Sequence, residues 1–157
     1  MKLRYLFVLF LGFVLTQTAC QKDSFDPVKQ AAQDEEAIKN FINTNKLQGF
    51  QRDASGVYYQ VTKPGTGTDT YSANTSVTVT YTGRLLNGSV FDQSANAVTF
   101  KLGQVIAGWQ IGVPKIQKGG HVRILVPSAY GYGNASTGPI PANAVLDFDI
   151  ELLDVKN

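Results

Sequence analysis

A single cysteine, Cys20, rules out any disulfide within the chain. The single histidine, His121, has no cysteine, second histidine or clustered carboxylates at ligand spacing, so it reads as a strand residue and no metal is implied. There is no glycine-rich phosphate loop and no Ser/His/Asp arrangement; Gly119-Gly120 and Gly131-Tyr132-Gly133 read as turns, and no cofactor is implied. Basic clusters are missing too. The chain has 14 Lys and Arg against 12 Asp and Glu, and without residues 1–19, which hold Lys2 and Arg4 and no acid, the balance is 12 against 12. A neutral chain argues against nucleic acid as a partner. The one long apolar run, Leu6 to Leu15, is shorter than the roughly 20 residues a membrane-spanning helix needs.

What that run does resemble is the apolar centre of a secretory signal peptide, with Lys2 and Arg4 before it and the small residues Thr18-Ala19 after it. Residues 1–19 are therefore expected to be removed. Cys20, directly after Thr18-Ala19, is placed like the cysteine of a bacterial lipobox, whose thiol takes a lipid anchor, although Gln17 stands where that pattern prefers Leu. Ordinary cleavage near Ala19, leaving a free thiol, is the alternative. Gln21-Lys22-Asp23-Ser24 resembles the acidic tag that sends some lipoproteins to the outer face of an outer membrane. An exported, envelope-bound protein is the expectation.

The remainder, at 43% apolar and 11% aromatic for the whole chain, suffices for one domain. Residues 20–33 read as the lipidated cysteine and a flexible tether. Over residues 34–49, Ala37, Ile38, Phe41 and Ile42 fall at helical spacing, Asp34, Glu35 and Glu36 sit in the first turn and Lys46 near the end. Asp26-Pro27 offers an earlier start, as cap and first helical residue. The stripe is expected to pack on the domain; dimerisation is the alternative.

From residue 50 the pattern changes to strands. Val57–Val61, Val77–Thr82, Val98–Leu102, His121–Val126 and Val145–Leu153 are the candidates, with Pro64–Gly67 and Asn87-Gly88 as turns. In the last segment Leu146, Phe148, Ile150 and Leu152 alternate with Asp147, Asp149 and Glu151, so one face should be buried and the other wet. One helix is expected inside the domain, over about Ile106 to Ile116, ended or bent by Pro114. The fold class is α+β: an antiparallel, curved sheet of five to six strands wrapped around one short helix and preceded by a short N-terminal helix.

Four segments, in this order, resemble the FKBP family of prolyl isomerases. They are Val79-Thr80-Tyr81-Thr82-Gly83 with Gly88 and Phe91-Asp92; Val105-Ile106-Ala107-Gly108-Trp109; Val126-Pro127-Ser128-Ala129-Tyr130-Gly131-Tyr132-Gly133; and Ile140-Pro141 with Leu146–Leu153. The resemblance implies a peptidyl-prolyl cis/trans isomerase domain over residues 50–157, acting on proline-containing unfolded or nascent exported polypeptides and open to macrolide inhibitors. Read singly, each buried aromatic of a small sheet domain would be core. The resemblance instead makes Trp109 the floor of a shallow apolar pocket, with Tyr81, Phe91, Val105, Ile106, Tyr132 and Phe148 as walls and Tyr130, Ile140 and Val98 as further substrate contacts. It implies the Tyr132 hydroxyl and the Ile106 N–H as donors to substrate carbonyls. Asp92 either faces the rotating carbonyl or orients Tyr81.

Two departures stand out. Residues 93–99 are shorter than in well-known members, with Val98 in place of a pocket aromatic, so weaker inhibitor binding is expected. The loop Asn134–Pro139 is also short, with Ser136 and Thr137 near the family's usual histidine. Two other classes of function stay open: a non-catalytic binding module or holdase that grips unfolded chains with the pocket and helix, and a surface lipoprotein that binds an envelope or host partner.

Overall fold

The computed structural model describes residues 25–157. The apolar run, the cleavage site and Cys20 lie outside these residues, and no helix among the described residues is long and apolar enough to cross a membrane.

Helix α1 runs Pro27–Thr44. Asp26 caps it, its carboxylate accepting from the N–H groups of Val28 (2.9 Å) and Lys29 (3.2 Å), with Pro27 preset for the first turn. Residues 27–33 are thus helix rather than tether: the Asp-Pro pair satisfies the orphan donors of a helix start a full two turns earlier than the acidic residues 34–36. The helix also ends sooner than Gly49, because Lys46 takes a φ of 53° and Leu47 N–H turns back to the Ile42 carbonyl at 2.9 Å.

The strands are β1 (Gln51–Arg52), β2 (Tyr58–Lys63), β3 (Ser76–Leu85), β4 (Val90–Gln93), β5 (Val98–Lys101), β6 (His121–Val126) and β7 (Leu146–Lys156). They form one antiparallel sheet in the order β1-β2-β6-β7-β3-β4, with β5 also paired to β3. That makes seven strands where five to six were expected. The additions are short edge pieces: β1 is two residues long, and β4 and β5 share the outer edge of β3, β4 on Thr82–Arg84 and β5 on Ser76–Val79. Edge pieces this short leave little alternation to read.

Helix α2 (Ala107–Gly112), continued by a 3₁₀ turn at Val113–Lys115 that contains Pro114, crosses the inner face of the sheet. It lies close against β6 because two residues one turn apart have no side chain. A Cβ on Gly108 would stand 2.4 Å from Val126 Cγ1, and one on Gly112 would stand 2.6 Å from Ile124 Cγ2. Val77, Val79, Trp109, Val113, Ile124, Leu146, Phe148, Ile150 and Leu152 form the core between them.

The outer face carries a second apolar cluster. Ile38 of α1 is fully buried against Tyr58, Leu125 and Val145, with Ala37, Phe41 and Ile42 around it, so the stripe of α1 packs on the domain. This cover explains a departure from the simple wet face of β7. Asp147, only 2% exposed, accepts a two-pronged hydrogen bond from Arg123 Nε (2.9 Å) and Nη2 (2.8 Å), and the Arg123 guanidinium in turn lies over the rings of Phe41 and Phe50. Glu151 keeps the expected exposure to water, and Asp149 is half-buried beside His121.

Candidate active site

At the open end between α2 and the β3–β4 corner lies a cavity of about 280 Å³, lined by Tyr81, Asp92, Phe100, Gln104, Val105, Ile106, Trp109, Tyr132 and Phe148. Trp109, 4% exposed, is its centre. Three rings meet the indole edge to face: Tyr81 at 5.1 Å, Phe148 at 5.4 Å and Phe100 at 5.9 Å between centroids. These are favourable quadrupole geometries, and they hold the rings in fixed positions. The Trp109 Nε1–H is buried and has no partner among the described residues.

Backbone pairing brings the lining together. Tyr81 and Gly83 of β3 pair with Ile150 and Phe148 of β7, while Val77 pairs with Phe100 of β5. Gly83 matters sterically: a Cβ there would stand 2.7 Å from the Phe91 ring and 2.8 Å from that of Phe148. Those two rings close over the glycine, edge to face at 5.5 Å. Val105 and Ile106 enter from the 3₁₀ turn at Leu102–Gln104, and Ile106 is the N-cap of α2. Its N–H donates to no backbone carbonyl among the described residues, which leaves it available to a ligand. The Val105 carbonyl, in the same peptide plane, accepts from Gln110 Nε2 at 2.9 Å and fixes the direction of that N–H.

The polar groups are few. The Tyr81 hydroxyl donates to Asp92 Oδ2 at 2.6 Å. Burial, reinforced by the hydrogen bond to Asp92 and its charge, pushes the Tyr81 pKa well above the usual phenol value. Burial and the nearby Asp92 also raise that of Tyr132, which is 40% exposed at the rim. Both phenols therefore stay neutral donors through the physiological range. The lining has no serine, cysteine or lysine, and its one carboxylate, Asp92, is engaged by the Tyr81 hydroxyl.

Of the residues singled out in the sequence, Tyr81, Asp92, Val105, Ile106, Trp109, Tyr132 and Phe148 line the cavity. Phe91 does not: it is half-buried behind the wall, bracing Phe148. Val98 is 37% exposed and lies outside the lining, Ile140 is 5% exposed in the core, and Tyr130 packs against that core. Sequence reading missed Phe100 and Gln104. Phe100 sits two residues from Val98 on the same face of β5, so strand alternation alone pointed to it. It supplies an aromatic wall although Val98 does not.

Residues 67–153, more than half of the chain, match the family described as FKBP-type peptidyl-prolyl cis-trans isomerase. The chain belongs to that family. Among curated FKBP-type relatives, FkpA of Buchnera aphidicola subsp. Schizaphis graminum is 41% identical over 116 residues, covering 72% of this chain and 46% of the relative. FkpA of Escherichia coli K12 is 36% identical over 143 residues, covering 89% and 50%. The chain thus spans about half the length of these FKBP-type relatives. The crystal structure of FkpA from Escherichia coli superposes with a TM-score of 0.71 at 36% identity, over 82% of this chain and 62% of that one. The crystal structure of a peptidyl-prolyl cis-trans isomerase from Pseudomonas syringae gives 0.69 at 33% identity, over 85% of this chain and 99% of that one. The FKBP-like sheet, wrapped around its short helix, is common to all three.

Proposed function

We propose that the protein is a peptidyl-prolyl cis/trans isomerase that speeds X-Pro bond rotation in exported polypeptides. The observation that carries this reading is the cavity itself: a tryptophan floor with three edge-on rings and two neutral phenols at its margin. The family membership supports it.

An X-Pro bond prefers trans by only about 0.5–1 kcal/mol but crosses a barrier near 18–20 kcal/mol. The twisted amide has lost conjugation and charge separation, so leaving water costs it less than it costs the planar amide. A dry aromatic cavity therefore favours the transition state over the ground state. The prolyl ring would rest on Trp109, and the Ile106 N–H and Tyr132 hydroxyl would hold the carbonyls on either side. Lowering the barrier by about 5 kcal/mol would give a rate gain of several thousandfold.

The holdase alternative draws on the apolar stripe of α1, but that stripe is occupied inside the fold, with Ile38 fully buried. The cavity remains the better candidate for contact with unfolded chains. We extend the proposal to export by the N-terminal signal and to membrane anchoring through Cys20, and to binding of macrolide inhibitors in the cavity, where Phe100 offsets the aromatic missing at Val98.

The test is the cis-to-trans rate of a Phe-Pro or Leu-Pro peptide with and without the purified protein. Acceleration that falls in Tyr132→Phe supports the reading, and a well-folded protein without acceleration overturns it. For the anchor, Cys20→Ser should move the protein from the membrane fraction to the soluble one.

A further inference from the structure

The turn that carries Tyr132 is tied to the N-terminal helix by a buried carboxylate. Asp34, 3% exposed, accepts from the Ser128 backbone N–H at 2.8 Å and from the Ser128 hydroxyl at 2.6 Å, both through Oδ2. Its Oδ1 accepts from Gln30 Nε2 at 2.7 Å, one turn back on α1. Ser128 is itself 2% exposed. A buried carboxylate is costly to desolvate unless its oxygens are used, and here three donors use them.

Ser128 is the hub of the turn. Its carbonyl accepts from Gly131 N–H at 3.0 Å and from Gly133 N–H at 2.9 Å, the residues on either side of Tyr132. The Gly133 carbonyl then accepts from Asn143 N–H at 2.8 Å, which ties the far side of the loop. The amide and hydroxyl of Ser128 thus point to α1 while its carbonyl holds the backbone that aims the Tyr132 ring. Gly131 and Gly133 offer no side chains to fix that backbone, so hydrogen bonds do it, two of the three named here through Ser128.

We infer that Asp34 is a positioning residue for Tyr132: through Ser128 it fixes the turn that presents the Tyr132 hydroxyl to the cavity, and it makes α1 part of the working site. Asp34 lies well before residues 67–153 that define the family match, so the inference assigns a role to a helix outside that match. It rests on the isomerase reading only for its effect on rate.

The test uses the full chain with Asp34→Ala and Asp34→Asn, each alone and combined with Tyr132→Phe. Two readouts are taken: kcat/KM per folded molecule, and amide hydrogen exchange at Gly131 and Gly133. Asp34→Ala should lower kcat/KM about five- to tenfold in the parent and have little further effect once Tyr132 has lost its hydroxyl. Asp34→Asn keeps an acceptor oxygen for Ser128 and should restore most of the rate. Exchange at Gly131 and Gly133 should quicken while amides of β6 and β7 stay protected. Equal fold losses in both backgrounds, or unaltered exchange at the two glycines, would overturn the inference. If Asp34→Ala does not fold, Ser128→Ala, which deletes only the hydroxyl donor, takes its place in the same cycle with the same expected pattern. A parent protein without activity would sink the isomerase reading instead, and the exchange at Gly131 and Gly133 would still decide the role of Asp34.

Discussion

The Tyr81 hydroxyl and the Asp92 carboxylate are joined by a 2.6 Å hydrogen bond at the mouth of the aromatic cavity. A phenol engaged in this way has its donor committed, so Asp92 fixes the ring of Tyr81 against Trp109. If orientation is its main task, Asp92→Ala and Tyr81→Phe should each lower kcat/KM by roughly tenfold or more, the scale of one hydrogen bond to a charged group of about 1.5–3 kcal/mol. The double variant should then be no worse than either single one. Multiplying losses would instead show that Asp92 faces the substrate carbonyl on its own account.

Phe100 offers a second test because the protein has one tryptophan, Trp109, and Phe100 meets it edge to face at 5.9 Å. Phe100→Leu keeps most of the volume but removes the ring, at a cost of about 1 kcal/mol of stability. The fold should survive, kcat/KM should drop several-fold, and the tryptophan emission should move to longer wavelength as water reaches the indole. Unchanged emission and rate would mean that Phe100 only covers the edge of β3.

The seat of α2 is more sensitive than its short length suggests. Gly108→Ala would put a methyl group 2.4 Å from Val126 Cγ1, inside the packed core, and β6 is backed on its other face by α1, where Leu125 packs with Ile38. We expect a loss of about 1–3 kcal/mol in denaturant unfolding from overpacking. Activity per folded molecule should fall as well, since α2 carries both Ile106 and Trp109 into the cavity. An alanine that leaves stability untouched would show that the helix can slide on the sheet.

Much of this arrangement was legible in the chain. The β6 segment His121–Val126 and the alternation of β7 mapped directly onto strands, because each is long enough for a period of two to repeat several times. Fragments β1 and β4 escaped for the opposite reason, being short edges whose pairing comes from β2 and β3 and not from their own pattern. The start of α1 was carried by Asp26-Pro27, a stronger stop-and-start signal than the acidic run at Asp34–Glu36. In the site, Tyr81 and Phe148, singled out through the family resemblance, both line the cavity. Phe91, a wall by resemblance, stands against Phe148 and not in the cavity lining, a distinction that a shared motif does not carry. The burial of Asp34 and Asp147 could not be seen at all: both read as solvated acids until α1 is laid across the outer face.

That same helix should make stability depend on acid in a definite window. Glu35 accepts from the Tyr58 hydroxyl at 2.7 Å, from Arg52 Nε at 3.0 Å and from Lys39 Nζ at 3.0 Å. Burial works against its charge, but the hydrogen bonds from Tyr58, Lys39 and Arg52 outweigh it and hold the carboxyl down from 4.5 to about 2. A folded pKa below the unfolded one stabilises the fold fully above the unfolded value, and that contribution fades as pH falls through 4.5 toward about 2. In full, such a shift is worth about 3 kcal/mol. Screening by water at Arg52 and Lys39, 48% and 59% exposed, reduces the expected share to about 1 kcal/mol. Asp53, held down from 3.8 to about 2 mainly by Lys115 at 2.8 Å, acts in the lower part of that window. Glu35→Gln should therefore be less stable than the parent at pH 7, by a margin that closes between pH 4.5 and 2, and adding Asp53→Asn should flatten the remaining slope. Urea unfolding across that range decides it: a margin that stays constant with pH would mean that the Glu35 cluster contributes packing and no charge.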